Sequence, residues 1–243
     1  HALPMGDIVD RAVAEARILE EAGFDAVLIE NMHDRPYTKG AVGPEIVAAL
    51  SRVAAAVRSA LAIPIGLQVL AAANRESLAV ACANQLDFVR VEGFVFAHVA
   101  DEGWIDGSAA DLLRYRRQIG AEDVLILTDI QKKHSSHAIT ADLPLEDLAK
   151  GASFFLSDGI ILTGHHTGEV TCPDQVAAVR QATSLPLLVG SGITAGNLAD
   201  YWDRADGVIV GSSIKEKGLW DQALDRERIG DMVASARRLE SRN

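Results

Sequence analysis

Two turns in the last third of the chain place glycine and serine directly after short apolar runs. One run ends in Gly190, Ser191, Gly192 and Ile193, and the next ends in Gly211, Ser212 and Ser213. Glycine lets the backbone approach an anion closely, and free N–H groups at the start of a following helix can donate to that anion. The pair of turns therefore predicts a phosphate site. The alternative is that any tight strand-to-helix turn favours these residues.

Polar side chains also lie where the other apolar runs end. They are Glu30, Asn31, Gln68, Arg90, Glu92, Asp129, Thr163 and His165. In a barrel of parallel strands the active site is built at the C-terminal ends of the strands, so we expect these side chains to converge.

The loop after Asp129 adds Lys132, Lys133 and His134. Carboxylates at the strand ends, with Lys132 or His134, could act as general acid and base, and a lysine amine could attack a carbonyl. Alternatively the lysines are solvated or bind an anion, and the sequence does not distinguish Lys132 from Lys133. The candidate catalytic residues are Glu30, Arg90, Glu92, Asp129, Lys132 and His134.

Arg90 and Glu92 alternate with Val89 and Val91, so a strand places the polar pair on one face and the valines on the other. Because surrounding helices cover the apolar face, the polar pair is expected to face the barrel interior. There it could contact a ligand, or it could form a buried ion pair that only closes the barrel mouth.

Histidines and acids in the loops lack the short fixed spacing of a metal motif. The candidate ligands would be His33, Asp34, His134, His137, His165 and His166. No HExxH sequence is present, and the adjacent His165 and His166 would point apart in an extended segment. We therefore expect no metal and no other cofactor.

Strands and helices alternate regularly along the chain. Strands are predicted at 24–31, 63–70, 88–93, 124–131, 159–163, 185–193 and 207–210, and residues 1–5 resemble the end of a first strand whose beginning is absent. Helices are predicted at 7–23, 43–61, 74–86, 108–120, 144–151, 173–182, 195–204 and 226–239.

The order of these elements predicts an α/β fold, an eight-stranded parallel (β/α)8 TIM barrel in a single domain spanning 1–243. The length of 243 residues suits one such barrel. A doubly wound open sheet is the alternative, but its GxGxxG signature after the first strand is missing.

The composition of the chain limits the classes of partner that we expect it to bind. Hydrophobic residues make up 49% and aromatic residues 5%, and the net charge is −11 without a basic cluster, which disfavours nucleic acid and anionic membrane surfaces. No apolar run approaches the roughly 18 residues of a membrane span. Two cysteines without CxxC spacing suit the cytoplasm. The expected partner is a phosphorylated small molecule, and a homo-oligomer is left open.

Glu30-Asn-Met-His-Asp-Arg-Pro-Tyr37 resembles the Glu-Asn-x-x-Asp-x-Pro-[Phe/Tyr] motif of the BtpA family, which includes the SgcQ-like proteins. The resemblance continues at residues 87–91, 129–134, 161–164 with 167–168, 188–192 and 210–215. It implies a TIM barrel similar to the ribulose-phosphate-binding barrels and, for the founding members, involvement in photosystem I biogenesis. It implies no settled reaction.

Two segments depart from the family pattern. Residues 68–74 read Gln-Val-Leu-Ala-Ala-Ala-Asn where an Asn-Val-Leu-Arg-Asn-Asp pattern is expected. Arg90-Val-Glu92 places a carboxylate where the family tends to asparagine. These departures indicate a subgroup with altered specificity.

Two functions from different classes fit these observations. The first is an enzyme that acts on a phosphorylated small molecule. It would isomerise that molecule, or form or break carbon–carbon or carbon–nitrogen bonds in it. The second is a non-catalytic assembly or stability factor. A deep polar pocket would favour the first, and an exposed apolar patch away from the barrel mouth would favour the second.

Overall fold

The structure is a computed structural model that describes residues 3–164 and 170–241. Its backbone contacts divide into two compact units. The first unit comprises residues up to Val91 together with Ala110–Ile126, and the second comprises Glu92–Ala109 and the chain from Leu127 onward.

The first unit contains three complete parallel strands. In chain order it holds α1 (Met5–Ala22), β1 (Val27–Glu30), α2 (Pro44–Ala60), β2 (Ile65–Gln68), α3 (Asn74–Ala83) and β3 (Phe88–Val91). Glu30 at the end of β1 pairs with Gln68 at the end of β2, so the two strands end at the same level of the sheet. Strand β2 is buried throughout, as expected for a parallel strand covered on both faces.

The second unit combines parallel strands with a small antiparallel sheet. The elements after β3 are β4 (His98–Ala100), β5 (Gly103–Ile105), α4 (Ala109–Gln118), β6 (Leu125–Asp129), β7 (Ser135–Ser136), α5 (Leu145–Phe154), β8 (Gly159–Thr163), α6 (Pro173–Ala182), β9 (Leu187–Gly190), β10 (Gly207–Ile209) and α7 (Arg226–Glu240). All of α4 except Ala109 belongs to the first unit, and β6 begins there.

Seven strands form one sheet in the order β1-β2-β3-β6-β8-β9-β10. The antiparallel sheet has the order β5-β4-β7 and was not predicted from the sequence. The eighth parallel strand, expected at residues 1–5, is not confirmed, because α1 already begins at Met5 in the described chain.

The predicted helix at 195–204 is wrong. The structure has only a short 3-10 helix, Leu198–Asp200, in that segment. Asn197 accepts a hydrogen bond from Thr194 N and donates to Gly192 O, and the buried Tyr201 hydroxyl donates to Thr171 O. These side-chain bonds hold the segment in turns instead of a regular helix.

Each unit uses the same Arg–Asp arrangement where a strand begins. Arg58, in the last turn of α2, donates to Asp87 Oδ2 at 3.1 Å, and the same oxygen accepts from the first amide of β2 at 2.7 Å. Arg180, in the last turn of α6, donates to Asp206 Oδ2 at 2.7 Å, and that oxygen accepts from the first amide of β9 at 2.7 Å. These bonds fix the N-terminal ends of the strands, while the candidate residues lie at the C-terminal ends.

Candidate functional site

The two glycine–serine turns begin side by side at the end of neighbouring strands. Strands β9 and β10 are parallel, and their register pairs Gly190 with Ile209. Ser191 and Gly192 both have positive φ angles, 67° and 66°, so the chain turns sharply after β9. Because a non-glycine residue rarely adopts this conformation, Ser191 is a strained position of the kind that clusters at binding sites.

Both turns carry a buried hydroxyl that bonds to nothing among the described residues. Ser191 Oγ and Ser213 Oγ are enclosed and have no hydrogen-bond partner there. The amides of Gly192, Ile193, Ser212 and Ser213 likewise donate no hydrogen bond to another described residue. A Cβ added at Gly211 would meet no atom of a described residue within 4 Å, so these residues leave space beside the second turn.

The loop after β6 is held so that Lys132 points inward. Thr163 Oγ1, at the end of β8, accepts a hydrogen bond from Lys133 N at 3.2 Å, and a ring nitrogen of His137 lies 2.9 Å from Lys132 O. Lys132 is 9% exposed, whereas Lys133 is half-buried. The structure therefore resolves the choice that the sequence left open, and Thr163 serves to position the loop.

Lys132 is surrounded by carboxylates of the same unit. Its Nζ lies 3.2 Å from Glu92 Oε2 and 4.0 Å from Glu102 Oε2, and the Glu92 side chain is 3% exposed. The Glu92 carboxylate thus forms a buried ion pair with Lys132. Asp129, at the end of β6, is also buried.

His98 joins this group from the antiparallel sheet, and sequence reasoning missed it. Along β4 the side chains of His98 and Ala100 are buried while Val99 is exposed, the alternation of a strand with one covered face. His98 is 6% exposed, and its Nε2 has no hydrogen-bond partner among the described residues. Its ring centroid lies 5.3 Å from that of His137.

Burial is the main reason that the imidazole of His98 resists protonation. Desolvation, followed by the nearby His137 and Lys132, lowers the pKa of His98 from 6.5 to about 4, and Asp129 opposes the shift. His98 is therefore a neutral imidazole at pH 7.

These side chains enclose a cavity of about 20 Å³ in the second unit. Its lining includes His98, Asp129, Lys132 and His137. A space of this size holds roughly one water-sized group. The arrangement therefore presents an ammonium, a carboxylate and a neutral imidazole to a single small polar group.

We expect the shifted pKa of His98 to make stability depend on pH. The unfolded chain binds a proton at His98 below about pH 6.5 and the folded chain only near pH 4, so the free energy of unfolding falls as pH decreases through this window. His98→Leu should remove up to about 3 kcal/mol of that loss. Urea unfolding of both proteins from pH 7.5 to 4 measures the difference, and parallel pH profiles would contradict the expectation.

The remaining sequence candidates of the first unit form their own contacts. Arg90 Nη1 lies 3.3 Å from Glu30 Oε1. Asn31 Oδ1 accepts from Leu70 N at 2.8 Å, which ties the end of β1 to the chain after β2, and Gln68 is buried at the end of β2.

One sequence candidate lies away from the cavity, and another cannot be placed. His134 is exposed and is not among the cavity-lining residues that the structure describes, and His137 lines the cavity instead. His165 lies outside the described residues. Across residues 3–164 and 170–241, no group of three His, Cys, Asp or Glu side chains converges as metal ligands.

An exposed apolar segment ends α5. Phe154 is 81% exposed and Leu156 is 70% exposed, with Phe155 between them. Within the described chain, no helix has both the length and the hydropathy needed to cross a bilayer.

Comparison with solved structures defines the class of fold. Orotidine 5'-phosphate decarboxylase from Pyrococcus horikoshii OT3 matches with a TM-score of 0.63 at 16% identity, covering 94% of each chain. Phosphoribosyl anthranilate isomerase from Thermus thermophilus matches with a TM-score of 0.57 at 16% identity, covering 93% of this chain and 94% of the other. These neighbours are TIM barrels of the ribulose-phosphate-binding type, and at this identity the likeness shows the fold alone.

Sequence comparison gives the family. The model of the BtpA family matches residues 1–238, and the chain belongs to this family. An uncharacterised mitochondrial protein of Caenorhabditis elegans is 43% identical over 238 residues, covering 96% of this chain and 86% of the relative. The photosystem I biogenesis protein BtpA of Synechocystis is 33% identical over 240 residues, covering 97% of this chain and 82% of the relative.

Proposed function

We propose that this protein is a single-domain TIM-barrel enzyme that binds a phosphorylated small molecule, with the phosphate held by the turns after β9 and β10, and acts on it as an isomerase or lyase. The observation that carries the proposal is the pair of buried hydroxyls, Ser191 Oγ and Ser213 Oγ, that have no partner among the described residues. We define these turns, residues 190–193 and 211–213, as the phosphate cradle.

A bound anion would supply the hydrogen-bond partners that the buried hydroxyls of Ser191 and Ser213 lack among the described residues. Leaving a buried donor or acceptor unsatisfied costs about 1–3 kcal/mol. Ser191 and Ser213 can each donate a hydroxyl proton to a phosphate oxygen, and the open amides of Gly192 and Ser212 can add further bonds. Strain at Ser191 is consistent with a turn shaped for a ligand.

The polar cavity supplies a candidate reactive end for the same ligand. Strands β6 and β9 are separated only by β8, so their ends lie about 10 Å apart at the usual strand spacing. A sugar phosphate can bridge this distance with its phosphate at the cradle and its other end near Asp129 and Lys132. The names of the decarboxylase and isomerase neighbours describe phosphorylated compounds, which agrees with this ligand class.

Ser213→Ala should weaken phosphate binding without lowering the stability of the phosphate-free protein. Loss of one charge-assisted hydrogen bond should weaken inorganic phosphate binding about 10- to 100-fold. Without phosphate, the melting temperature should stay the same or rise, because the hydroxyl has no hydrogen-bond partner to lose among the described residues. Calorimetric titration and thermal unfolding with and without phosphate measure both effects.

Ser59→Ala is the matched control for this test, because the Ser59 hydroxyl donates to Ala55 O on the exposed side of α2. It should leave phosphate affinity unchanged. Equal affinities in the wild type, Ser191→Ala and Ser213→Ala would refute the cradle.

A second candidate function is an assembly or stability factor. The exposed Phe154 and Leu156 favour it, because adjacent exposed apolar side chains often mark a protein contact, and the Synechocystis relative is named for photosystem I biogenesis. A factor of this kind without a ligand would show no phosphate-dependent change in melting temperature, so the same measurement separates the two functions.

A further inference from the structure

The cavity beside β4 is lined by a histidine with a ring nitrogen that is unpartnered within the described chain. His98 Nε2 is buried without a partner among the described residues, although the side chain is held by a regular strand. Lys132 and Asp129 line the same cavity. A buried imidazole nitrogen that bonds to no protein group is unfavourable unless a ligand completes it.

The charges around the cavity indicate what kind of group it accepts. Glu92 and Glu102 approach the single ammonium of Lys132, and Asp129 adds a third carboxylate. A second phosphate or a carboxylate would therefore meet more negative than positive charge, whereas a neutral polar group would not be repelled. The cavity volume of about 20 Å³ limits that group to one oxygen.

We infer that this cavity binds the carbonyl oxygen of a phosphorylated α-hydroxy aldehyde or ketone, with Lys132 Nζ and His98 Nε2 as its hydrogen-bond donors. The inference rests on the proposed phosphate cradle, which anchors the other end of the same ligand. A neutral imidazole can donate a hydrogen bond to a carbonyl oxygen without carrying charge of its own. This hydrogen bond becomes stronger as negative charge develops on that oxygen.

The chemistry that follows is proton transfer next to the carbonyl. Asp129 takes the proton from the neighbouring carbon, which carries a hydroxyl group, and becomes neutral. The C–H electron pair becomes the carbon–carbon double bond and the carbonyl electrons move to oxygen, so an enediolate forms while the net charge in the cavity stays the same. Return of the same proton from Asp129 to the former carbonyl carbon, with a proton moving between the two oxygens, gives the isomer. Atoms and electrons balance without a cofactor. Lys132 and His98 stabilise the enediolate oxygen.

The test compares three probes by calorimetric titration. 5-Phospho-D-arabinonohydroxamate imitates the enediolate, D-arabinitol 5-phosphate has the same phosphate and chain length with no carbonyl, and inorganic phosphate reports on the cradle alone. The hydroxamate should bind the wild type at least about 100-fold more tightly than arabinitol 5-phosphate. His98→Leu should lose about 10-fold or more of this preference and keep its affinity for the other two probes.

Matched variants keep the outcomes distinct. His134→Leu changes an exposed histidine of the adjacent loop and should retain the full hydroxamate preference. Ser213→Ala should weaken all three probes together. Equal affinity for hydroxamate and arabinitol 5-phosphate, or an unchanged preference in His98→Leu, would overturn the carbonyl site while leaving the cradle intact. Failure of all three probes to bind would overturn the proposed function itself.

Discussion

Lys132→Met is expected to lower the free energy of unfolding by about 3–5 kcal/mol, because it breaks a buried ion pair by removing the ammonium that lies 3.2 Å from Glu92 Oε2. The double variant Lys132→Met/Glu92→Gln should regain most of that loss, since it removes the buried charge together with its partner. Denaturant unfolding at pH 7 measures both values. The coupling between the two substitutions then gives the interaction free energy of the pair.

Lys150→Met provides the control. Lys150 Nζ lies only 2.9 Å from Asp147 Oδ1, closer than Lys132 lies to Glu92, but both side chains are exposed, at 61% and 47%. Its loss should change stability far less than Lys132→Met does, because solvent screens an exposed ion pair. If Lys132→Met were equally mild, or the double variant were as unstable as the single one, Glu92 would not depend on Lys132.

Gly211→Leu should weaken inorganic phosphate binding by at least about 100-fold with little change in melting temperature. Within the described part of the chain, a Cβ at Gly211 meets no atom within 4 Å, so the new side chain fills space that the proposed anion needs without displacing the core. Calorimetric titration gives the affinity, and thermal unfolding without phosphate confirms that the protein is folded.

Gly196→Leu is the comparison for this variant. Gly196 lies in the segment after β9 but outside the cradle, and a Cβ there makes only an ordinary contact, 3.7 Å from Thr194 Oγ1. It should bind phosphate as the wild type does. Wild-type affinity in folded Gly211→Leu would show that the anion does not approach this turn.

The alternation of parallel strands and helices could be predicted from the sequence because buried strands read as continuous apolar runs. Gly159–Thr163 and Pro173–Ala182 have the predicted bounds. The other predicted elements that the structure contains differ mainly at their ends, apart from the helix expected at 195–204. Asp129 and Glu92 could be singled out because they follow such runs directly. The sequence could not show which of Lys132 and Lys133 points inward. That choice depends on the hydrogen bond from Lys133 N to Thr163 Oγ1, thirty residues away.

His98 was missed for a similar reason. Strands β4 and β5 have three residues each, too few for periodicity to separate them from a loop. A weak signal was present: Val99 and Trp104 favour strands and flank a two-residue turn, which is followed directly by Gly103 with a φ of 103°. The pairing of Ala100 with Ser135 joins this hairpin to the loop after β6, and only tertiary structure reveals it.

A crystal structure with D-arabinitol 5-phosphate tests the phosphate cradle most directly. We predict the phosphate within hydrogen-bond distance of Ser191 Oγ and Ser213 Oγ, with amides of residues 192, 193, 212 or 213 completing its contacts. A phosphate bound elsewhere on the protein, with both serine hydroxyls still unbonded, would contradict the proposed site.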